Sequence, residues 1–105
     1  MSQVFKLDQT VQFQTGTVVS RVLMGGKGHK GTVTTFAFSA GEGLSEHSAP
    51  FDALVINLHG TGKVTLEGEP HILEKGDAIV MPANIPHAVY AQTDFKMMLV
   101  MIRDE

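Results

Sequence analysis

The sequence predicts an all-β domain, and three observations predict it. Eleven glycines and four prolines cut the chain into short apolar runs. Apolar and polar residues alternate inside those runs, as in Lys63-Val64-Thr65-Leu66-Glu67. No segment sustains the i, i+3, i+4, i+7 apolar pattern, with caps, that a helix of more than two turns needs. In chain order, strands are expected over Val4–Leu7, Thr17–Met24, Gly31–Ser39, Phe51–Leu58, Gly62–Glu67, Glu69–Leu73, Asp77–Met81, His87–Gln92 and Phe95–Arg103. Each boundary falls on a turn signal: Gly25-Gly26-Lys27-Gly28, Ala40-Gly41-Glu42-Gly43, His59-Gly60-Thr61-Gly62, Glu67-Gly68 and Lys75-Gly76-Asp77.

The last run differs from the others. Phe95, Met97, Leu99 and Met101 fill one face, and Met98, Val100 and Ile102 fill the other. A strand apolar on both faces lies between a core and something else. In 105 residues that something is expected to be a second subunit, making a homodimer.

Length and charge bound the rest. A chain of 105 residues makes one domain, 1–105. A net charge of −3 without a Lys/Arg cluster argues against nucleic acid, since phosphate contacts need gathered cations. No apolar stretch reaches the ~20 residues that span a bilayer, and Met1–Val11 has no apolar core of a signal peptide. A cytoplasmic location is expected. The absence of cysteine removes disulfides, thiolate ligands and a thiol nucleophile.

The chemistry gathers in two glycine-anchored segments. The first runs Gly41-Glu-Gly-Leu-Ser-Glu-His47 and on to Gly60; the second runs Gly76-Asp-Ala-Ile-Val-Met-Pro82-Ala-Asn-Ile-Pro-His87. Glycines permit the left-handed turns that reverse strands. Pro82 ends a strand where no ladder donor is needed, and Pro86 holds Ile85 extended and so aims His87.

These segments resemble the two motifs of the cupins, over roughly residues 36–100. Gly41, His47 and Gly60 fall on the first motif, and Gly76, Pro82 and His87 on the second. The resemblance implies a jelly-roll β-barrel of two antiparallel sheets. It also implies a divalent metal (iron, nickel, zinc or manganese) held by three histidines and a glutamate. The departures from that pattern fall on the ligands. Ala49 stands where the second histidine belongs, Ala53 where the glutamate belongs, Asn84 replaces a glycine, and Ala91 replaces the final asparagine. His47 and His87 remain, and two neutral imidazoles with water make a weak site. Asp52 is the candidate third ligand, but strand alternation points it away from the face carrying Ala53 unless a bulge re-aims it. Asn57 has the right parity for the pocket but is a poor transition-metal ligand. The stretch His47-Ser-Ala-Pro50 is similar to that of a subgroup of small homodimeric single-domain cupins.

Other residues take simpler roles. His29 sits in a glycine-rich hairpin tip, and His59 and His71 are expected to be exposed. Gly26, Gly28 and Gly31 are not a phosphate loop, because no helix follows. Met24, Met81, Met97, Met98 and Met101 suggest copper(I) by softness, but methionine more commonly fills cores and interfaces. Glu42 and Glu46 are expected on a solvated rim, and Tyr90 faces away from the interior. The expected function is a binding module that takes a small molecule in the barrel mouth, with His47, His87 and Asn57 as polar contacts. The alternatives are a metal-dependent cupin enzyme that uses His47 and His87 as ligands, and an interaction protein with a vestigial pocket.

Overall fold

The computed structural model describes residues 3–103. Nine strands follow a single 3-10 turn at Leu7–Gln9: β1 Val18–Gly25, β2 Gly31–Phe38, β3 Gly43–His47, β4 Asp52–His59, β5 Gly62–Leu66, β6 Glu69–Leu73, β7 Ala78–Met81, β8 His87–Ala91 and β9 Phe95–Ile102. They form two antiparallel sheets, one in the order β1-β2-β9-β4-β7 and the other in the order β3-β8-β5-β6. This is the expected all-β jelly-roll barrel.

The alternation read from the sequence explains the core. Val55 and Ala53 on β4, Val64 on β5, Leu73 on β6, Met81 on β7, Val89 and Ala91 on β8, and Phe95 and Met97 on β9 form one buried cluster with Phe38. Burying each Val, Leu, Phe or Met side chain of this cluster contributes about 1.5–3 kcal/mol. Gly62 is needed at its position because a Cβ there would lie 2.5 Å from the Phe95 ring. Asn84 adopts φ +66°, the left-handed conformation in which asparagine can replace the motif's glycine.

Two expectations are corrected. Val4–Leu7 is not a strand: residues 3–6 pair with no other strand, Val4 is fully exposed, and the 3-10 turn begins at Leu7. Its apolar residues meet no strand edge within the described chain, so nothing supplies the ladder bonds. Conversely, Gly43–His47 is a strand that composition concealed. Four of its five residues are exposed, so it lacks an apolar run, and it sits at a sheet edge paired only with β8. Tertiary pairing there overrides local signal.

The last strand lies at the centre of the five-stranded sheet. Its inner residues enter the core, while its outer residues face outward as read from the sequence. Part of that outer face is covered by the chain's own N-terminal segment. Val11 is buried, Thr10 Oγ1 and Thr35 Oγ1 share a hydrogen bond of 2.8 Å, and Lys96 Nζ donates to the Asp8 carbonyl at 2.6 Å. The Lys96 ammonium also lies 4.9 Å from the centre of the Phe13 ring.

Candidate functional site

Four strands end or begin at one end of the barrel: β3 ends at His47, β8 begins at His87, β4 begins at Asp52 and β7 ends at Met81. Hydrogen bonds fasten the loop between β7 and β8 there, one of them from Glu67 N–H to the Pro86 carbonyl at 2.9 Å. Asn84 N–H donates to the Ala49 carbonyl at 2.7 Å, and Ala83 N–H donates to Asp52 Oδ1 at 2.9 Å.

His47 reaches this site through an irregularity. Leu44 pairs with Val89 and packs against the core, so regular alternation would turn His47 outward. Between Leu44 and His47 the register shifts: three steps along β3 match two along β8. The extra residue reverses the alternation and brings His47 beside His87, its directly opposed partner. The rings meet edge to face with centroids 4.4 Å apart, and the two Nε2 atoms are 3.2 Å apart. His87 is buried and His47 is exposed, so the pair joins the packed interior to solvent.

Protonation follows from the backbone. His47 Nδ1 lies 3.0 Å from the Ser45 carbonyl, and His87 Nδ1 lies 3.1 Å from the Ile85 carbonyl. A carbonyl only accepts, so both Nδ1 atoms donate and carry hydrogens. In a neutral imidazole the other nitrogen is then a bare acceptor. When both rings are neutral, the two Nε2 atoms, 3.2 Å apart, are left as acceptors, and a proton held by either one makes the hydrogen bond between them. Burial is the main cause that lowers the His87 pKa below its ordinary value. Repulsion from His47 adds to this, and the hydrogen bond to Ile85 opposes it.

The structure separates the other candidate residues from this pair. Asp52 lies opposite Ile102 on the outward side of β4, and its carboxylate is engaged by Ala83. Parity governs it, and no bulge re-aims it. Asn57 is buried at the opposite end of β4 with its side chain fully engaged. Nδ2 donates to the Gly60 and Leu73 carbonyls, and Oδ1 accepts from His59 N–H, each at 2.8 Å. It is a structural clasp, and reading its parity alone missed the turn it closes. Tyr90 is exposed beneath Lys63, His71 pairs with Glu69 at the surface, Glu46 is exposed, and Glu42 is half-buried.

Among the described residues, no three His, Asp or Glu side chains form a group able to hold a metal. The three-histidine, one-glutamate set is not present, so the residues do not fit the hard divalent site that the motifs imply. Three clefts, of about 500, 660 and 330 Å3, flank the N-terminal segment, β1 and the β1–β2 hairpin, and neither histidine lines any of them. No helix among the described residues is long and apolar enough to cross a membrane.

Comparison with known proteins agrees with this architecture. A conserved protein of unknown function from Streptococcus pyogenes is 35% identical over 100% of this chain and 90% of its own, with a TM-score of 0.92. A cupin 2 conserved barrel domain protein from Leptotrichia buccalis is 44% identical over 94% of this chain, with a TM-score of 0.88; this chain spans 47% of that protein's length. Salicylate 1,2-dioxygenase from Pseudaminobacter salicylatoxidans, 22% identical over 81% of this chain and 26% of its own, shares the fold alone, with a TM-score of 0.74. No curated protein matches. Residues 34–103 match the family model described as the cupin domain, and the chain belongs to the cupin family.

Proposed function

We propose that this cupin is a binding module whose site is the His47–His87 pair at the barrel mouth. One observation carries this reading: two imidazoles, each fixed by a carbonyl, aim bare Nε2 acceptors at one point, one buried and one open to solvent. Such a pair suits a small molecule that brings a donor, a hydroxyl or an ammonium, to that point. NMR of the imidazole nitrogens during titration with a panel of small polyols and amines tests it. Perturbation of both Nε2 signals, lost in His47→Ala, is expected. Stoichiometric iron, nickel, zinc or manganese in protein purified without added metal would instead support the metal-dependent enzyme.

A second copy of the chain is the proposed partner. Cross-strand register aligns Met24, Val33, Val100, Leu54 and Val80 in one row across the outward face of the five-stranded sheet. Met24, Val80 and the neighbouring Ile102 are exposed by 67%, 56% and 61%. The row holds no charge, so an isologous contact across a two-fold axis brings no like charges together. It also continues the half of the face that residues 8–13 already cover. Light scattering at micromolar concentration should give twice the chain mass, and Val80→Lys with Ile102→Lys should give the monomer. A monomeric parent protein would refute the proposal.

A further inference from the structure

Two strands bound the five-stranded sheet: β7, of four residues, and β1, of eight. Among the described residues β1 pairs with β2 alone, and the register is regular from Val18 to Val22 before it slips between Val22 and Met24. The ladder fixes which backbone groups are engaged. Ser39 N–H donates to the Thr17 carbonyl, one step before the opposed pair Val18 and Phe38. Hydrogen-bonded pairs alternate along an antiparallel ladder, so Val19 and Arg21 also turn their N–H and C=O groups to β2. Val18, Ser20 and Val22 turn theirs to the free edge, where no turn or loop among the described residues bonds them.

A groove follows that edge. One cleft of about 500 Å3 opens against Val19, Ser20 and Arg21, and another of about 660 Å3 against Arg21, Val22 and Leu23, with Thr10 on the facing wall of both. Successive side chains of a strand point to opposite faces, so three consecutive residues line one cleft only along the strand's edge. The sole charged side chains lining the two clefts are Lys6 and Arg21. Neither forms an ion pair with a described residue.

We propose that the β1 edge is a docking site for an extended acidic peptide of a partner protein, added antiparallel to β1 with a carboxylate opposite Arg21. The free groups of Ser20 and Val22 offer the main-chain bonds that hold an added strand. Arg21 lies between them, and the peptide residue opposed to it forms a non-hydrogen-bonded pair, in which side chains come closest. Two cations and no carboxylate along the groove favour an acidic residue at that position. The same charges reject a second copy of the chain. Edge-to-edge pairing at β1 would bring Arg21 close to its own counterpart, and insertion of a partner's residues 3–6 would bring Lys6 to Arg21. A cation on an edge strand is a known device against such self-pairing. Neither His47 nor His87 lines the groove, so the site is separate from the barrel mouth.

Fluorescence anisotropy with the full chain and a labelled pentapeptide, Thr-Val-Glu-Thr-Val, tests the proposal. In antiparallel register its Glu faces Arg21, and the two flanking residues face Val22 and Ser20. Saturable binding is expected, at least tenfold tighter than for the same peptide with Lys in place of Glu. Arg21→Glu should reverse that preference, with a thermal melt that matches the parent's. N-methylation of the two amides flanking Glu should abolish binding, whereas N-methylation of the Glu amide should weaken it less than threefold. Amide NMR shifts should concentrate on Val18–Val22 and persist in His47→Ala. Each of four results would overturn the proposal: no saturable binding, equal affinity for the Glu and Lys peptides, an Arg21→Glu variant that keeps the parent's preference, or N-methylated peptides that bind alike. Shifts confined to His47 and His87 would overturn it too, and would place the peptide at the mouth instead.

Discussion

The two ends of the barrel treat buried polarity in opposite ways. At the closed end Asn57 is 1% exposed, and three backbone partners engage its amide. Its main chain is engaged too, since Asn57 N–H donates to Asp77 and its carbonyl accepts from Gly76. At the mouth, the Nδ1 atoms of His47 and His87 are engaged while their Nε2 atoms confront each other. A polar group with every partner supplied by the chain holds the fold together. One whose outward atom lacks a complement is available for chemistry. The distinction lies in the hydrogen-bond inventory, since both sites are built from a buried polar side chain on a β-strand.

The largest test of this contrast is Asn57→Ala. It leaves two carbonyls and one N–H without their partner in the clasp, so urea unfolding should show a loss of about 2–4 kcal/mol. If His87→Ala costs as much, the two ends are not different in kind. Next is Gly62→Ala at the same closed end, where the added Cβ presses on the Phe95 ring. Thermal unfolding should report about 1–3 kcal/mol of overpacking.

At the mouth the expected effects are smaller and depend on pH. The folded His87 pKa lies below its unfolded value of ~6.5, so the unfolded chain binds more protons in the interval between them. The associated stability is fully present above ~6.5 and is lost as pH falls through the folded value. Chemical unfolding followed from pH 8 to pH 5 should show this decline, and His87→Gln should flatten it. A final variant sharpens the contrast and is read by metal content, not by stability: Ala49→His with Ala53→Glu. Supplying the missing donors should give stoichiometric zinc(II) retained through dialysis, read by elemental analysis.

Much of the fold was legible because its signals are local. Gly60, Gly76 and Pro82 mark turns and strand ends through backbone restriction alone, and Val64 with Leu66 declares its inner face by alternation. The N-terminal Val4–Leu7 carried the same apolar signal but has no described partner strand, and β3 has partners but almost no apolar signal. Pairing is non-local, so neither outcome is written in its own segment. The histidines were found by spacing, and the exclusion of Asp52 by parity. The tautomers and the role of Asn57 depend on cross-strand register and carbonyl placement, which residue types do not encode.

The irregularity in β3 has a consequence for how such a site is gained or lost in descent. His47 faces inward because one residue too many lies between it and Leu44 for regular alternation. Removing Ser45 or Glu46 would keep every donor type in the chain and still turn that imidazole out to solvent. A codon-sized deletion would therefore disarm the site as fully as mutating the histidine, while a scan for residue identity would score the two relatives alike.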